Sequence, residues 1–234
     1  MKIFQKGFNF SQDGPGNRLV YHVAGCNMRC RWCSNPEGMT ANADFKDYSI
    51  DEIVREAISC KMMFFDGGGV TFTGGEATLC ADELSAVLKG LKYNDINTAI
   101  ETNGTSKRLF DILEYVDYLI MDFKHFDDEI LKEYTGVDAK AVKENYKQIC
   151  ESGRKCHIRI PLINEFNASC SKKFAEYLSG YNTDNISFEF LAYHEYGKEK
   201  WTEAYKIKDG FVSLDTIKSF KDEFENKGLK VITT

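Results

Sequence analysis

Short apolar runs alternate with longer amphipathic segments along the 234 residues of the chain. Alternation of that kind is the signature of successive βα units and of a parallel sheet. A first strand is predicted from Arg18 to Val23 and a second over Gly69-Val70-Thr71-Phe72-Thr73. Further strands are predicted from Thr98 to Thr102, Tyr118 to Phe123, His157 to Leu162 and Ile186 to Leu191, with a last one from Leu229 to Ile232. Between them lie helical patterns. Ser49-Ile50-Asp51-Glu52 reads as a capping box that starts a helix with Ile53, Ala57 and Ile58 on its apolar face. A helix from Asp82 to Leu91 would bury Leu84, Val87, Leu88 and Leu91, which recur at helical intervals. A short helix is expected after the Asn103-Gly104 turn. Others are expected from Glu129 to Tyr134, Ala139 to Glu151, Ser169 to Leu178 and Leu214 to Asn226, the last stopped by Gly228 as a C′ glycine. The sum is six βα units in one domain, residues 1–234.

Composition supports that picture and removes alternatives. A hydrophobic fraction of 43% is ample for a core and argues against disorder. The net charge is −6 and the 30 Lys and Arg are spread without a basic block, so nucleic acid is not an expected partner. Met1-Lys2-Ile3-Phe4-Gln5-Lys6 lacks the apolar core of a signal peptide, and no apolar stretch approaches the ~20 residues that span a bilayer. No membrane association is expected, the location expected is cytoplasmic, and the eight cysteines are expected to stay reduced.

Three of those cysteines carry the candidate chemistry. In Gly25-Cys26-Asn27-Met28-Arg29-Cys30-Arg31-Trp32-Cys33 they stand as C-x3-C-x2-C, directly after the first predicted strand. Three thiolates on one tight loop can hold three corners of an iron–sulfur cube and leave one iron open to a ligand. Spacing alone equally allows a zinc knuckle with its fourth ligand elsewhere, or reduced core thiols. The other five, Cys60, Cys80, Cys150, Cys156 and Cys170, show no C-x2-C pairing and read as buried or half-buried thiols.

In parallel α/β sheets a ligand sits beyond the carboxyl ends of the strands, where the loops gather. Those ends are polar here. The first gives the cysteine loop with Asn35, the second Gly74-Gly75-Glu76, the third Glu101-Thr102-Asn103. The fourth gives Asp122 and Lys124, the fifth Arg159, the sixth His194. Such a mixed set suits a zwitterionic ligand that carries both an amine and a carboxylate. Each member also has a plain structural reading: a glycine turn, a cap, a solvated charge, a histidine without chemistry. Their recurrence at successive strand ends beside three cysteines speaks against those readings taken together.

The C-x3-C-x2-C loop with Trp32 before its last cysteine resembles the radical S-adenosylmethionine (SAM) enzymes. Within them the chain is similar to the activating enzymes of glycyl radical enzymes, and most to the pyruvate formate-lyase type. The marks are Asp13-Gly14-Pro15-Gly16-Asn17-Arg18, Cys26 to Cys33 with Asn35, and Gly69-Val70-Thr71-Phe72-Thr73-Gly74-Gly75-Glu76. Further marks are Glu101-Thr102-Asn103-Gly104, Asp122-Phe123-Lys124, and Tyr193-His194-Glu195-Tyr196-Gly197-Lys198 with Trp201.

The resemblance implies an incomplete (β/α)6 TIM-like barrel. It implies one [4Fe–4S] cluster on Cys26, Cys30 and Cys33, with SAM on the open iron and Trp32 by the adenine. Gly74, Gly75 and Glu76 would take the methionyl amine. Lys124 and Asn35 would contact the SAM, and Arg159 and His194 its carboxylate or ribose region. Glu101, Thr102 and Asp122 match a monovalent-cation site, with Glu101 where the relatives have Asp. Only Cys60 lies between Cys33 and Gly74, so no auxiliary cluster is implied. The reaction implied is reductive cleavage of SAM to a 5′-deoxyadenosyl radical, which takes hydrogen from a glycine of a partner glycyl radical enzyme. Flavodoxin or ferredoxin would be the reductant, oxygen would damage the enzyme, and the chain is expected to be a monomer. The alternatives are a radical SAM enzyme acting on a small molecule or peptide, such as a 7-carboxy-7-deazaguanine synthase-like enzyme, and a non-catalytic zinc or electron-transfer module.

Overall fold

The computed structural model describes residues 1–40 and 44–232. The chain is mixed α/β, with an open sheet that is partly antiparallel and mostly parallel. It divides into two compact units. One comprises Met1–Asn27, Asn35–Thr102 and Ser106–Ile120; the other comprises Met28–Ser34, Asn103–Thr105 and Met121–Thr234.

In the first unit the strands are β1 (Lys2–Phe10), β2 (Asn17–Val23), β3 (Lys46–Asp47), β4 (Gly69–Gly74) and β5 (Thr98–Thr102), in the spatial order β3-β1-β2-β4-β5. β1 runs antiparallel to both β2 and β3, whereas β2, β4 and β5 are parallel. The helices are α1 (Ile50–Ser59), α2 (Ala81–Tyr93) and the short α3 (Leu109–Ile112). The capping box of α1 is present: Glu52 N donates to the Ser49 hydroxyl and Ser49 N to the Glu52 carboxylate. α2 buries Leu84, Val87, Leu88 and Leu91 completely, and Tyr21 of β2 stacks on Phe72 of β4 with centroids 5.5 Å apart.

β6 (Tyr118–Asp122) begins in the first unit and ends in the second. The second unit continues with α4 (Asp128–Thr135), α5 (Lys140–Ser152), β7 (Cys156–Leu162), α6 (Ser171–Leu178), β8 (Ile186–Ala192), α7 (Leu214–Asn226) and β9 (Lys230–Val231). β7, β8 and β9 pair in parallel. Ile158, Ile160 and Leu162 of β7 are fully buried, as are Phe188 of β8 and Phe220 and Phe224 of α7. The alternate residues His157 and Arg159 are buried too, so β7 is covered on both faces in the manner of a parallel strand.

Two expectations need correction. Ile58 does not lie on the buried face of α1; it is 42% exposed while Ile53 and Ala57 are buried. Five residues on from Ile53 a helix has turned about 140° past a full circle, away from the stripe. β1 and β3 were not expected. β1 carries Phe8 and Phe10 on the surface and so lacks the apolar run of a core strand.

Arg18 fixes the turn that leads into β2. It is fully buried in the first unit, with Nε on Thr71 Oγ1 (2.6 Å), Nη2 on Val70 O (2.8 Å) and Nη1 on Asn97 Oδ1 (3.0 Å), Pro15 O (3.2 Å) and Gly67 O (3.3 Å). Burial draws its pKa down to about 10, which still leaves it charged at neutral pH. Gly16 beside it has φ +69°, and a Cβ there would lie 2.3 Å from Phe65 O. Arg18→Ala strands several buried carbonyls and is expected to cost on the order of 3 kcal/mol. Urea unfolding of the variant against wild type measures it.

Candidate functional site

The first unit supplies Cys26, Asn35, Gly74, Gly75, Glu76, Glu101 and Thr102. The Gly-Gly pair is more than a turn. Gly74 has φ +106°, and a Cβ on it would lie 2.6 Å from Val23 N; one on Gly75 would lie 2.2 Å from Gly25 O. Gly75 N donates to Val23 O and Glu76 N to Gly25 O, both at 2.8 Å, while Gly25 N donates to Gly38 O at 2.8 Å. What the missing side chains admit here is the backbone of the residue before Cys26. Asn35 precedes the single turn Pro36–Met39 and accepts Gly38 N at 3.0 Å. Glu76 is 1% exposed, and its Oε1 accepts Thr78 N (3.0 Å), Thr102 Oγ1 (2.7 Å) and the Thr78 hydroxyl. Glu101 accepts Thr73 Oγ1 at 2.8 Å.

The second unit supplies Cys30, Trp32, Cys33, Asp122, Lys124, Arg159 and His194. The stretch that carries its two cysteines is tied to the end of α4 by Arg29 N on Thr135 O (2.7 Å) and Arg31 N on Tyr134 O (3.1 Å). Trp32 packs on Phe166 with centroids 4.7 Å apart, and the Arg31 guanidinium lies 4.3 Å from the Tyr134 ring centre. Lys124 and Arg159 are not solvated charges; they are 8% and 6% exposed. Lys124 Nζ pairs with Asp122 at 2.5 Å, and Lys124 O accepts Asn167 Nδ2 at 3.3 Å. His194 is exposed, its ring stacked on Tyr196 at 4.3 Å.

Arg159 brings in residues that sequence reasoning missed. Its Nε donates to Glu189 Oε2 at 2.9 Å, and His157 Nε2 reaches the same oxygen at 2.9 Å. His157 Nδ1 lies 3.1 Å from the Ser187 hydroxyl, which can donate or accept, and because an ionised carboxylate only accepts, Nε2 is the donor to Glu189. Arg159 and Glu189 are direct neighbours in the β7–β8 ladder. That register, once the two strands are paired, was the available signal. Burial alone would raise the Glu189 pKa, but the His157 hydrogen bond and the Arg159 charge hold it below the ordinary value.

None of the eight cysteines is in a disulfide; Cys30, Cys150 and Cys156 are buried and the other five are half-buried. Cys30 Sγ lies 3.9 Å from Met28 Sδ. Among the described residues no three His, Cys, Asp or Glu side chains converge as a metal-ion site. The chemistry of the donor set nonetheless fits an iron–sulfur cluster: three cysteine thiols within eight residues, none of them in a disulfide.

The Radical SAM superfamily profile matches residues 20–178, and the chain belongs to that superfamily. The chain is 31% identical to the pyruvate formate-lyase 1-activating enzyme of Escherichia coli K12, over 94% of this chain and 93% of that one. To the pyruvate formate-lyase-activating enzyme of Clostridium pasteurianum it is 33% identical, over 84% and 85%. A solved domain of the pyruvate-formate lyase-activating enzyme of Bacteroides vulgatus superposes with a TM-score of 0.61 at 26% identity, covering 71% of this chain and 98% of that one. Streptococcus suis SuiB bound to S-adenosylmethionine shares the fold, with a TM-score of 0.70 at 20% identity over 92% of this chain and 49% of its own. The homology places the protein among the glycyl-radical-enzyme activating enzymes of the pyruvate formate-lyase type. It is therefore an enzyme of a class that uses iron–sulfur chemistry and SAM.

The Glu189 network carries a pH signature. A carboxyl whose folded pKa is depressed adds stability that is complete above its unfolded value and lost as pH falls through the folded one. Glu189→Gln is expected to cost about 3–5 kcal/mol at pH 7, as for a broken buried pair. The difference from wild type shrinks as pH falls below the ordinary glutamate value of 4.5. Denaturant unfolding at pH 7, 5 and 3.5 tests this, and a pH-independent difference would refute it.

Proposed function

We propose that the chain is a single-domain, single-cluster activase that reductively cleaves SAM and generates a radical on a glycine of a partner glycyl radical enzyme. The reading is supported by three cysteines within eight residues after β2, together with two buried cations, Lys124 just past β6 and Arg159 midway along β7. Cys26, Cys30 and Cys33 would hold one [4Fe–4S] cluster. Such a cluster would supply, from an external reductant, the one electron needed for cleavage of the SAM sulfonium to methionine and a 5′-deoxyadenosyl radical, which would take hydrogen from the glycine α-carbon.

The chain's own residues bind and orient. Lys124, fixed by Asp122, and Asn35 each offer a contact to the SAM, and Arg159, fixed by Glu189, offers positive charge to its carboxylate or ribose region. Gly74, Gly75 and Glu76 offer backbone and carboxylate acceptors to the methionyl amine. Trp32 offers a ring to the adenine and His194 a donor to the ribose region. Glu101, Thr102 and Asp122 provide oxygens for a monovalent cation. No general base is assigned, because hydrogen-atom transfer from glycine requires none. The partner is a glycyl radical enzyme of the pyruvate formate-lyase type, the reductant a flavodoxin or ferredoxin, and the enzyme acts as a cytoplasmic monomer. No helix among the described residues is long and apolar enough to cross a membrane.

Anaerobically reconstituted protein given dithionite and SAM is expected to release 5′-deoxyadenosine, and Cys30→Ala to lose both cluster and product. Undiminished SAM cleavage by Cys30→Ala would sink the site assignment. Electron paramagnetic resonance is expected to show a glycyl doublet on a glycyl radical enzyme of the host incubated with the reduced protein and SAM. Silence with every such enzyme of the host, alongside active SAM cleavage, would leave a radical SAM enzyme with a different substrate.

A further inference from the structure

The segment after β8, marked in the sequence by Tyr193-His194-Glu195-Tyr196-Gly197-Lys198 and Trp201, has a place in the second unit that its resemblance does not explain. Gly197 is buried against the backbone of Ser34, the residue after the last cysteine. A Cβ on Gly197 would lie 2.4 Å from both Ser34 Cα and Ser34 O. Four residues on, Trp201 Nε1 donates to the carbonyl of Cys33 at 3.0 Å, across 168 positions of sequence. The Cys33 amide is engaged as well, donating to Cys30 O at 3.1 Å. Peptide units are rigid planes. Fixing the N–H on one side of a residue and the C=O on the other therefore fixes its φ and ψ, and with them the direction of its Cα–Cβ bond.

The segment is braced for that task. Lys200 N donates to Gly197 O (3.1 Å) and Trp201 N to Lys198 O (3.2 Å), which closes the turn between the two contacts. The Trp201 ring meets Tyr205 edge-on at 5.5 Å. Tyr205 in turn meets the buried Tyr193, hydroxyl to hydroxyl, at 2.9 Å. Lys198 pairs with Glu195 at 2.9 Å.

We propose that this segment is a clasp on the cysteine loop and that Trp201 is a positioning residue, setting the orientation of Cys33 through its main-chain carbonyl. Gly197 makes the clasp possible because any side chain there would lift the segment off Ser34. The indole is suited to the role because its N–H is only a donor and its ring supplies the packing that holds the donor in place. The proposed function enters only where the thiol is taken to ligate a cluster; the clasp itself is a property of the metal-free chain.

The test is hydrogen–deuterium exchange of the metal-free protein, read on peptides covering 28–34 and, as a reference, α5. Trp201→Phe keeps a ring against Tyr205 and removes the donor. Losing one hydrogen bond is expected to speed loop exchange about five-fold, with α5 exchange unchanged. Reconstituted Trp201→Phe is expected to lose iron to a chelator faster by a similar factor. Tyr205→Phe, which loosens the brace but leaves the Cys33 carbonyl bonded, is the control for general softening. A loop that exchanges as in wild type in Trp201→Phe, or equally fast in Tyr205→Phe, overturns the proposal. If the wild type fails to assemble a cluster, the proposed function falls, while loop exchange still decides the clasp.

Discussion

Burial of polar side chains on and beside a sheet is the constraint on which the rest of the structure depends. A strand covered on both faces has no water to offer, and a lone charge there costs several kcal/mol. β7 meets the constraint by setting Ile158, Ile160 and Leu162 to one side and giving Arg159, on the other, the Glu189 carboxylate that His157 also reaches. Lys124 meets it with Asp122, and Glu76 with the Thr78 and Thr102 hydroxyls. Arg18 meets it with a ring of neutral acceptors. Side chains held in this way do not have to be ordered when a ligand arrives, which is the energetic advantage of a preorganised site.

The backbone is handled by the same logic at the loop that carries the cysteines. On the side of the first unit, Gly74 and Gly75 let the main chain around Gly25 approach to hydrogen-bonding distance. On the side of the second, amides of the loop are satisfied by the last carbonyls of α4, and Cys33 O by Trp201. Buried main-chain groups need partners, and here those partners also dictate where the thiols start from. An enzyme whose hard chemistry resides in a bound cofactor contributes chiefly this kind of control over position.

Much of the fold was legible because it is local. β5 and α7 have the predicted limits, since a β-branched run closed by Asn103-Gly104 and a serine cap followed by helical periodicity each specify their own ends. α2 buries the four leucine and valine positions its spacing marked. β1 was not legible, because its surface phenylalanines and its charges hide the strand until β2 is placed beside it. The exposure of Ile58 followed from helix geometry that a simple apolar count ignores.

The sequence by itself determined the three-cysteine spacing, the polar residues in and after the parallel strands, and the family, because motif spacing and periodicity are properties of neighbours along the chain; Arg159, expected at a strand end, lies midway along β7. Only the tertiary structure decided what each of those residues faces. It excluded the reading of Lys124 and Arg159 as solvated charges by showing them buried and paired. It brought Glu189 and His157 to Arg159, and it set Trp201 on Cys33. Those pairings join residues from 2 to 168 positions apart, and most span strands or loops whose register no local pattern encodes.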